Sequence, residues 1–419
     1  MEIAILIGGK GSRVKKISKN IPKPFLKIGD KQIIEHQMEQ LIRLKKKIIL
    51  ISNSKYSKFH KILIKKYDHI NFKVIEESKP LGTGGCLKSL KDFKSKDYLI
   101  VFGDLIFNID FKKFFLFHKR KKSDLTLLVH PNDHPFDSDL LKINDNNQLT
   151  QFHKKPHKRK DIGNLSLSGI LIISRKILNH IKSDMFQDFS KEIIPKLLKK
   201  KIKIFAYNTR EYVKDVGTPE RIELVKKQIK TKKFINGNIN KKLPAVFLDR
   251  DGVINKEILS KHYQNPLKII NGVVSAIKKI NSRGYLAVVI TNQSAVAKGV
   301  ITIAQLEKDH NKLEYFIGSK GAYLDRIYYC PYHPEKGFKG EIKKFKRKSK
   351  LRKPDNGMLL KAIKDLNIDV KNSFMIGDSF VDFQAAKKTR VKFLLVGKKF
   401  KLEKGKKYKN LLEAVNSIM

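Results

Sequence analysis

Short apolar runs alternate with helix-like amphipathic stretches along the first half of the chain. The strand-like runs are Ile3–Ile7, Lys47–Ser52, Phe72–Ile75, Tyr98–Phe102, Asp124–Val129, Leu167–Ile173 and Ile202–Tyr207. Helical patterns cover 32–44, 57–67, 83–90, 188–199 and 219–230. This alternation predicts an α/β domain with a mainly parallel sheet.

A second alternation follows a polar stretch that contains the turn signal Asn236-Gly237-Asn238. Its predicted strands are Ala245–Asp249, Tyr285–Thr291, Arg326–Tyr329, Ser373–Gly377 and Lys392–Val396. Because 419 residues exceed one ordinary hydrophobic core, we predict two domains, 1–230 and 244–419, joined by a linker at 231–243.

The net charge of +50 admits a polyanionic partner. The excess is lysine spread over the whole chain, without an aromatic-interleaved basic stripe, so we attribute it to composition bias and anionic small substrates and predict no nucleic-acid partner. No apolar run is long enough to span a bilayer, and the start lacks a basic signal region, so we expect a cytoplasmic protein. Two cysteines, Cys86 and Cys330, exclude a disulfide framework. The sequence specifies no oligomeric state.

The first strand runs into the glycine-rich turn Gly8-Gly9-Lys10-Gly11-Ser12-Arg13, and Pro22-Lys23-Pro24 follows. Backbone N–H groups in such a turn can hold phosphate, and Arg13 can add a charge-assisted hydrogen bond. With four later stretches, these motifs resemble the sugar-1-phosphate nucleotidyltransferases over about the first 230 residues. The later stretches are Pro80-Leu81-Gly82-Thr83-Gly84-Gly85, Phe102-Gly103-Asp104, His153-Lys154-Lys155-Pro156 and Asp215-Val216-Gly217-Thr218-Pro219.

The resemblance implies that a sugar phosphate oxygen attacks the α-phosphorus of an NTP. Arg13 and Lys23 would meet the triphosphate and the transition-state charge, and Asp104 and Asp215 would hold Mg²⁺. The implied nucleotide-binding residues are Gly8, Gly9, Gly11, Ser12, Arg13, Lys23, Gly82, Thr83 and Asp104. Lys155, Ser168 and Gly169 would bind the sugar phosphate. The family usually has Asn where this chain has Ser168, so the sugar stays open.

In the second domain, a buried-looking strand ends in Asp249-Arg250-Asp251-Gly252. Two carboxylates at a strand end are costly unless they hold a cation or do chemistry. Thr291-Asn292-Gln293-Ser294, Lys353-Pro354 and Gly377-Asp378-Ser379 with Asp382 follow in order, and the set resembles the haloacid dehalogenase superfamily.

This second resemblance implies that Asp249 is the nucleophile and Asp251 the general acid and base. Mg²⁺ would be held by Asp249, the Asp251 carbonyl and Asp378. Thr291 and Lys353 would bind phosphoryl oxygens, and Lys353 would also steady Asp249. Two roles stay open for Asp382: it assists Lys353 or the metal, or it caps the following helix.

Finer motifs, including Tyr329-Cys330-Pro331-Tyr332-His333-Pro334 and Arg352-Lys353-Pro354, resemble the heptose-1,7-bisphosphate phosphatases and their histidinol-phosphate relatives. Those enzymes carry a zinc loop. Here Tyr332, Ser349 and Leu351 occupy three of the four ligand positions, so we predict no structural zinc. The implied substrate-binding residues are Asn292, Lys298, which replaces the usual Arg, and Arg352.

The sequence therefore predicts two Rossmann-like three-layer α/β domains, a nucleotide-diphospho-sugar transferase fold followed by a haloacid dehalogenase-like fold. The expected chemistry removes the C7 phosphate of a heptose 1,7-bisphosphate and couples the heptose 1-phosphate to an NTP, for which family pairing favours GTP. Mg²⁺ is expected in both domains. The alternatives are a hexose 1-phosphate nucleotidyltransferase fused to a phosphatase of another sugar or histidinol phosphate, and a catalytically inactive basic binding or regulatory protein.

Overall fold

The computed structural model describes residues 1–9, 21–257, 267–397, 400 and 406–419. They form two compact units. Unit 1 comprises Met1–His130, Asp139–Lys155 and Ser166–Asn238, and unit 2 comprises Pro131–Ser138, Pro156–Leu165 and Ile239–Met419. The domain limits drawn from the sequence, at 230 and 244, stay a prediction.

Unit 1 is built on a mixed sheet. The strands of this unit are β1 Glu2–Leu6, β2 Lys27–Ile28, β3 Lys31–Gln32, β4 Ile48–Asn53, β5 Phe72–Glu77, β6 Asp97–Phe102, β7 Leu105–Asn108, β8 Leu125–Pro131, β9 Leu140–Ile143, β10 Leu149–His153, β11 Leu165–Ser174, β12 Ile204–Asn208 and β13 Tyr212–Asp215. Of these, β2 pairs with β3 and β7 pairs with β13 in two small separate sheets. Its described helices are α1 Ile33–Leu41, α2 Ser57–Lys66, α3 Gly82–Gly85, α4 Phe111–Lys121, α5 Ile194–Lys199, α6 Pro219–Gln228 and α7 Lys232–Ile235.

The strands of the main sheet run in the order β10-β9-β11-β6-β1-β4-β5, with β8 joining β11 to β12. The pairs around β1 are parallel, whereas β9, β10 and β11 pair antiparallel to their neighbours. Ile3 and Ile5 of β1 are fully buried, and Met38 of α1 and Phe114 of α4 pack into the same core. Such continuous apolar strands are typical of a sheet covered by helices.

Unit 2 contains a wholly parallel sheet of six described strands in the order β16-β15-β14-β17-β18-β19. They are β14 Ala245–Leu248, β15 Leu286–Asn292, β16 Arg326–Cys330, β17 Phe374–Gly377, β18 Lys392–Val396 and β19 Lys407–Tyr408. The described helices are α8 Val273–Ser282, α9 Ile303–Ser319, α10 Gly357–Leu366, α11 Phe380–Thr389 and α12 Leu411–Asn416.

Strand β14 shows why unit 2 has three layers. Val246 and Leu248 pack into a core with α8 and α12, while Ala245 and Phe247 pack into a second core with α10 and α11. Alternate side chains of one strand thus fill both faces of the sheet. The strand order also reverses at β14, and the carboxyl ends of parallel strands form a crevice at such a point.

The α/β class and the two three-layer domains predicted from the sequence are confirmed. The antiparallel strands β9 and β10 and helix α4 were not predicted, and the predicted helix at 188–199 begins as a π-helical turn, Phe189–Ile193. In the part of the chain that the structure covers, no helix is both long and apolar enough to cross a membrane.

Candidate active sites

A cavity of about 560 Å³ opens in unit 1 where β1 and β6 end. Predicted residues on its wall are Gly8, Gly9, Lys23, Gly82, Thr83 and Asp104. Glu77 and Phe186 also line it, and the sequence motifs did not indicate either residue. The predicted residues Gly11, Ser12 and Arg13 lie outside the described part of the chain.

Lys23 and Asp104 form an ion pair in this cavity. The Lys23 Nζ lies 2.6 Å from the Asp104 Oδ2, and Lys23 is buried in a short 3-10 turn between its prolines. A side chain at Gly103 would meet the Leu6 carbonyl oxygen at 2.6 Å. Glycine there therefore lets the Asp104 segment come close to the end of β1.

Asp215 lies on a strand end next to Asp104. Strand β13 pairs with β7, and the Val216 N–H donates to the Asp104 carbonyl over 3.0 Å. The Arg221 Nη1 lies 2.6 and 2.7 Å from the two Asp215 carboxylate oxygens. Burial acts to raise the pKa of Asp215, but the Arg221 charge and hydrogen bonds outweigh it and hold this pKa below its ordinary value. The carboxylates are only partly buried, at 33% and 38% side-chain exposure, and their oxygens fit a divalent cation.

The loop at Gly82–Gly85 is fixed by backbone contacts to Gln187. The Gly84 N–H donates to the Gln187 carbonyl over 2.8 Å, and the Gln187 N–H donates to the Leu81 carbonyl over 2.9 Å. Gly82 has a φ of +75°, and a Cβ there would lie 2.6 Å from the Gln187 oxygen. Only glycine fits this left-handed position against the neighbouring backbone.

The predicted sugar-binding residues have backbone partners. The Ser168 hydroxyl donates to the Leu128 carbonyl over 2.8 Å and accepts from the Ile170 N–H, so the sheet engages it. Gly169 has a φ of +85° and lies against the Phe102 ring. The Lys155 N–H donates to the Asp139 carboxylate over 3.0 Å. Roles for these residues in sugar binding stay a prediction.

In unit 2 the carboxyl edge of the sheet carries Asp249, which directly follows β14. The Lys353 Nζ lies 2.8 Å from its Oδ1 and 2.6 Å from the Asp382 Oδ1. Lys353 also donates to the Ile290 carbonyl over 2.9 Å. Burial raises the pKa of Asp249 to about 7 against the opposing charge of Lys353. Burial would lower the pKa of Lys353, but the two carboxylates outweigh burial and keep it raised.

Asn292 holds the main chain of Lys353. Its Nδ2 donates to the Lys353 carbonyl over 2.9 Å, and its Oδ1 accepts from the Lys353 N–H over 3.0 Å. The predicted substrate contact of Asn292 stays a prediction, because this amide is engaged at both ends in the structure. What the geometry shows is a positioning contact.

Asp251 is held by donors that the sequence motifs did not reveal. The Arg250 Nη2 donates to both of its oxygens over 2.9 Å, and the Gln293 Nε2 and Asn255 Nδ2 each donate over 2.8 Å. Arg250 is almost fully buried, and its Nη1 lies 3.2 Å from the His310 Nε2. The carboxylate of Asp251 therefore has a fixed orientation beside Asp249.

The chemistry of the acidic cluster fits a divalent cation. One carboxylate oxygen from each of Asp249, Asp378 and Asp382 lies within 4.8 Å of the others. Gly252 has a φ of +86°, and a Cβ there would lie 1.9 Å from the Asp378 Oδ2. Thr291, also buried, accepts from the Gln293 Nε2 over 2.8 Å. The structure thus brings together Asp249, Asp251, Thr291, Lys353 and Asp378.

The loop after β16 contains Tyr332, Ser349 and Leu351, which occupy the positions of zinc ligands in the related phosphatases. The Tyr332 ring packs against Phe345 at a centroid distance of 5.9 Å, and the Arg347 guanidinium lies 4.3 Å from the Tyr332 centroid. Burial raises the pKa of the Cys330 thiol. One thiol, one imidazole and these aromatic contacts do not match a four-ligand zinc site.

Comparison with known proteins found family models that match two parts of the chain. A model of the nucleotidyl transferase family matches residues 3–232, more than half of the chain. The chain belongs to this family. A model of the haloacid dehalogenase-like hydrolases matches residues 344–396. The predicted fusion of a transferase and a phosphatase is therefore confirmed, and this nucleotidyl transferase carries a phosphatase domain as a second enzyme.

Curated relatives match part of the chain. It is 41% identical over 146 residues to the D-glycero-β-D-manno-heptose-1,7-bisphosphate 7-phosphatase of Salmonella typhi, covering 35% of this chain and 76% of that protein. It is 39% identical over 174 residues to the enzyme of that name from Pasteurella multocida (strain Pm70), covering 41% and 92%. The solved structure of HddC from Yersinia pseudotuberculosis is 28% identical, with a TM-score of 0.48, over 55% of this chain and 99% of that chain.

Proposed function

We propose that this nucleotidyl transferase makes a nucleotide-activated heptose in two steps. Its phosphatase domain would remove the C7 phosphate of a heptose 1,7-bisphosphate, and its transferase domain would join the resulting heptose 1-phosphate to an NTP. The observation that carries this proposal is the buried cluster of Asp249, Lys353 and Asp378 in a chain similar to heptose bisphosphate phosphatases.

The contacts of unit 2 suit a two-stage phosphate transfer. An oxygen of Asp249 attacks phosphorus, the bond to the C7 oxygen breaks, and Asp251 donates a proton to the leaving alkoxide. A water molecule then attacks the phosphorus, Asp251 takes a proton from it, and the bond between phosphorus and the Asp249 oxygen breaks to release orthophosphate. Mg²⁺, held by Asp249 and Asp378, would neutralise the charge between carboxylate and phosphate. Lys353, 2.8 Å from Asp249, orients the nucleophile.

The contacts of unit 1 suit phosphoryl transfer between two anions. An oxygen of the heptose 1-phosphate attacks the α-phosphorus, and the bond to pyrophosphate breaks. Positioning and charge neutralisation account for most of such catalysis. Lys23 already lies in the cavity beside Asp104 and can move to a triphosphate oxygen. Asp104 and Asp215 would hold Mg²⁺ here, which would neutralise the phosphates.

Glu77 supports GTP as the nucleotide. Its Oε1 is buried with no hydrogen-bond donor among the described residues, and the side chain lines the nucleotide cavity. Burial raises the pKa of Glu77, opposed by the Leu81 N–H. A carboxylate accepts two parallel hydrogen bonds, and among the common bases guanine presents a matching pair, N1–H and N2–H. The guanine of GTP would therefore donate two hydrogen bonds to the Glu77 carboxylate, whereas the other common bases do not offer this pair of donors.

The decisive experiment incubates the whole chain with D-glycero-D-manno-heptose 1,7-bisphosphate, Mg²⁺ and each NTP in turn. We expect orthophosphate from every mixture, and pyrophosphate with an NDP-heptose from GTP alone. A second series starts from heptose 1-phosphate, which isolates the transferase step. Absence of orthophosphate and of nucleotide sugar in all mixtures would contradict the proposal. If another sugar or base reacts instead, the proposed specificity for heptose and GTP is wrong, but the two proposed reactions, phosphate removal and nucleotidyl transfer, stand.

The Glu77→Gln variant tests the base separately. We expect kcat/KM for GTP to fall about 10- to 100-fold, the effect of a lost charged hydrogen bond, with less change for the other NTPs. Glu76→Gln is the matched control, because the neighbouring Glu76 carboxylate lies 3.1 Å from the His60 Nε2 and is not on the cavity wall. Equal losses for all NTPs in the Glu77 variant would count against base reading.

A further inference from the structure

The loop at residues 331–352, here called the β16 loop, is tied to both phosphate-binding segments of unit 2. The Gln293 N–H donates to the Cys330 carbonyl over 2.8 Å at the start of the loop. At its end, the Arg352 Nη1 donates to the Tyr332 carbonyl over 3.3 Å, and Arg352 directly precedes Lys353. The β16 loop therefore lies beside the catalytic edge of the sheet.

A turn after β15 brings Lys298 to this loop. The Lys298 N–H donates to the Ser294 carbonyl over 2.9 Å, and the Ile342 N–H donates to the Ala297 carbonyl over 3.0 Å. Gly299 has a φ of +73°, and a Cβ there would lie 1.8 Å from the Gly340 oxygen. The turn and the loop thus fit together through their main chains, which fixes the origin of the Lys298 side chain.

The Lys298 ammonium lies over an aromatic ring. Its Nζ is 4.4 Å from the Phe338 centroid, and Lys346 approaches the same ring at 4.6 Å. The buried Lys346 ammonium is neutralised by Glu341 at 3.2 Å, and Glu341 also accepts from the Phe338 N–H. Lys298 has no carboxylate within ion-pair distance in the described parts of the chain. Of the two ammonium groups on this ring, Lys298 is therefore the one without a carboxylate partner among these described residues.

We propose that Phe338 is a positioning residue that holds Lys298 ready for the second anionic group of a diphosphorylated sugar, an inference that rests on the proposed phosphatase function. A lysine side chain is flexible, and a carboxylate partner would fix it only by cancelling its charge. An aromatic face attracts the ammonium through its quadrupole and leaves the charge available to a phosphate. The Lys346–Glu341 pair in turn holds the ring.

The test compares a substrate with two phosphates and one with a single phosphate. Phe338→Leu keeps an apolar side chain and removes the ring, Phe338→Tyr keeps the ring, and Lys298→Met removes the charge. For heptose 1,7-bisphosphate we expect Phe338→Leu to raise KM about 3- to 10-fold with kcat within about two-fold, the scale of a cation–π contact. Phe338→Tyr, which keeps the ring, should have the wild-type KM. Hydrolysis of p-nitrophenyl phosphate should be unchanged in Phe338→Leu and Phe338→Tyr.

A double variant shows whether Phe338 acts through Lys298. Phe338→Leu combined with Lys298→Met should have the KM of Lys298→Met alone. An unchanged KM in Phe338→Leu, or an equal loss on both substrates, would overturn the proposal and leave a purely structural ring. Thermal unfolding of each variant, with Phe393→Leu as a second aromatic control, identifies loss of folding. If Phe338→Leu does not fold, Lys298→Met is the variant in which KM for heptose 1,7-bisphosphate is compared with KM for p-nitrophenyl phosphate.

Failure of the proposed function has a different signature. Wild-type protein would then hydrolyse p-nitrophenyl phosphate but not heptose 1,7-bisphosphate. A panel containing fructose 1,6-bisphosphate and glucose 1,6-bisphosphate would next supply the diphosphorylated substrate for the same comparison of KM values. If wild type preferred p-nitrophenyl phosphate to every diphosphorylated sugar, the inference about Phe338 would fail as well.

Discussion

Asp382 lies 2.6 Å from the Lys353 ammonium, and both side chains are buried. Its other oxygen accepts from the Ser379 N–H and hydroxyl, which forms a capping box at the start of α11. The two roles left open by the sequence, support of Lys353 and capping of a helix, are thus performed by one carboxylate. Asp382 ties Lys353 to a helix terminus.

Replacing Asp382 by Ala leaves a buried ammonium with one carboxylate fewer. We expect a loss of about 3 kcal/mol in the free energy of unfolding, as for other broken buried pairs, together with a lower kcat for phosphate release. Urea unfolding and an orthophosphate assay measure the two effects. The control is Asp355→Ala, which removes an exposed partner 2.6 Å from Lys388 and should cost less than about 1 kcal/mol. Equal stability losses in the two variants would contradict the expectation.

Gly252→Ala should strongly reduce phosphate release although it replaces none of the predicted catalytic residues. The added methyl group would lie 1.9 Å from the Asp378 carboxylate, so Asp378 must move. Gly284→Ala is the matched control, because Gly284 also has a positive φ, +79°, and a Cβ there would meet nothing within 4 Å among the described residues. Both variants carry a backbone cost of about 1–2 kcal/mol, but only the Gly252 variant should lose more than about 100-fold in kcat. An active Gly252→Ala enzyme would show that the Asp378 position is not critical.

Asp249→Asn should separate the two activities. The amide cannot act as the nucleophile, so orthophosphate release from heptose 1,7-bisphosphate should fall to background. Pyrophosphate release from heptose 1-phosphate and GTP should continue at the wild-type rate. The reciprocal variant, Lys23→Met, should lose the transferase step and keep the phosphatase. Loss of both activities in either variant would mean that the two units do not work independently.

The β16 loop should function without zinc. Tyr332, Ser349 and Leu351 stand where the zinc loop has ligands, so Cys330 and His333 alone do not make a four-ligand zinc site. Elemental analysis of purified protein should find well below one zinc per chain. Treatment with a zinc chelator, followed by added Mg²⁺, should leave phosphate release unchanged. One tightly bound zinc per chain would show that this prediction is wrong.

The stability of unit 2 should fall as pH rises. Burial raises the pKa of Glu314 from 4.5 to about 7, against the opposing charge of Arg326, and that of Asp249 from 3.8 to about 7. These carboxyls bind more protons folded than unfolded, so their stabilisation is complete below about pH 4 and is lost as pH rises through about 7. Thermal unfolding in EDTA should show this decline, and Glu314→Gln and Asp249→Asn should each flatten it. A profile that is flat in wild type would contradict the expected sign.

Strand-end motifs were the most predictable part of the molecule. Asp104 and Asp249 each follow an apolar run, and the carboxyl ends of neighbouring parallel strands meet at one edge. A sequence that places Asp249, Thr291 and Asp378 at three strand ends therefore predicts that they meet. The structure brings them together for this reason.

Contacts between distant segments had no such local signal. The sequence motif gives no sign that Arg250 is buried. Its partner His310 is sixty positions away and is brought near by α9. Glu77 ends a half-buried strand, and only the folded cavity shows that one of its oxygens has no donor among the described residues. The short antiparallel strands β9 and β10 depend on partners rather than on their own patterns, so periodicity does not predict them.

Because Lys23 and Asp104 are paired with each other, a ligand that uses either side chain must replace this contact. Before anything binds, the Asp104 carboxylate already has an ammonium 2.6 Å away, so a metal ion that arrived alone would compete with Lys23. In the proposed mechanism, a nucleotide that arrives with its metal would offer Lys23 a new anion at the moment when Asp104 would receive a new cation. The ion pair would thus disfavour binding of either component by itself and favour binding of the two as a complex.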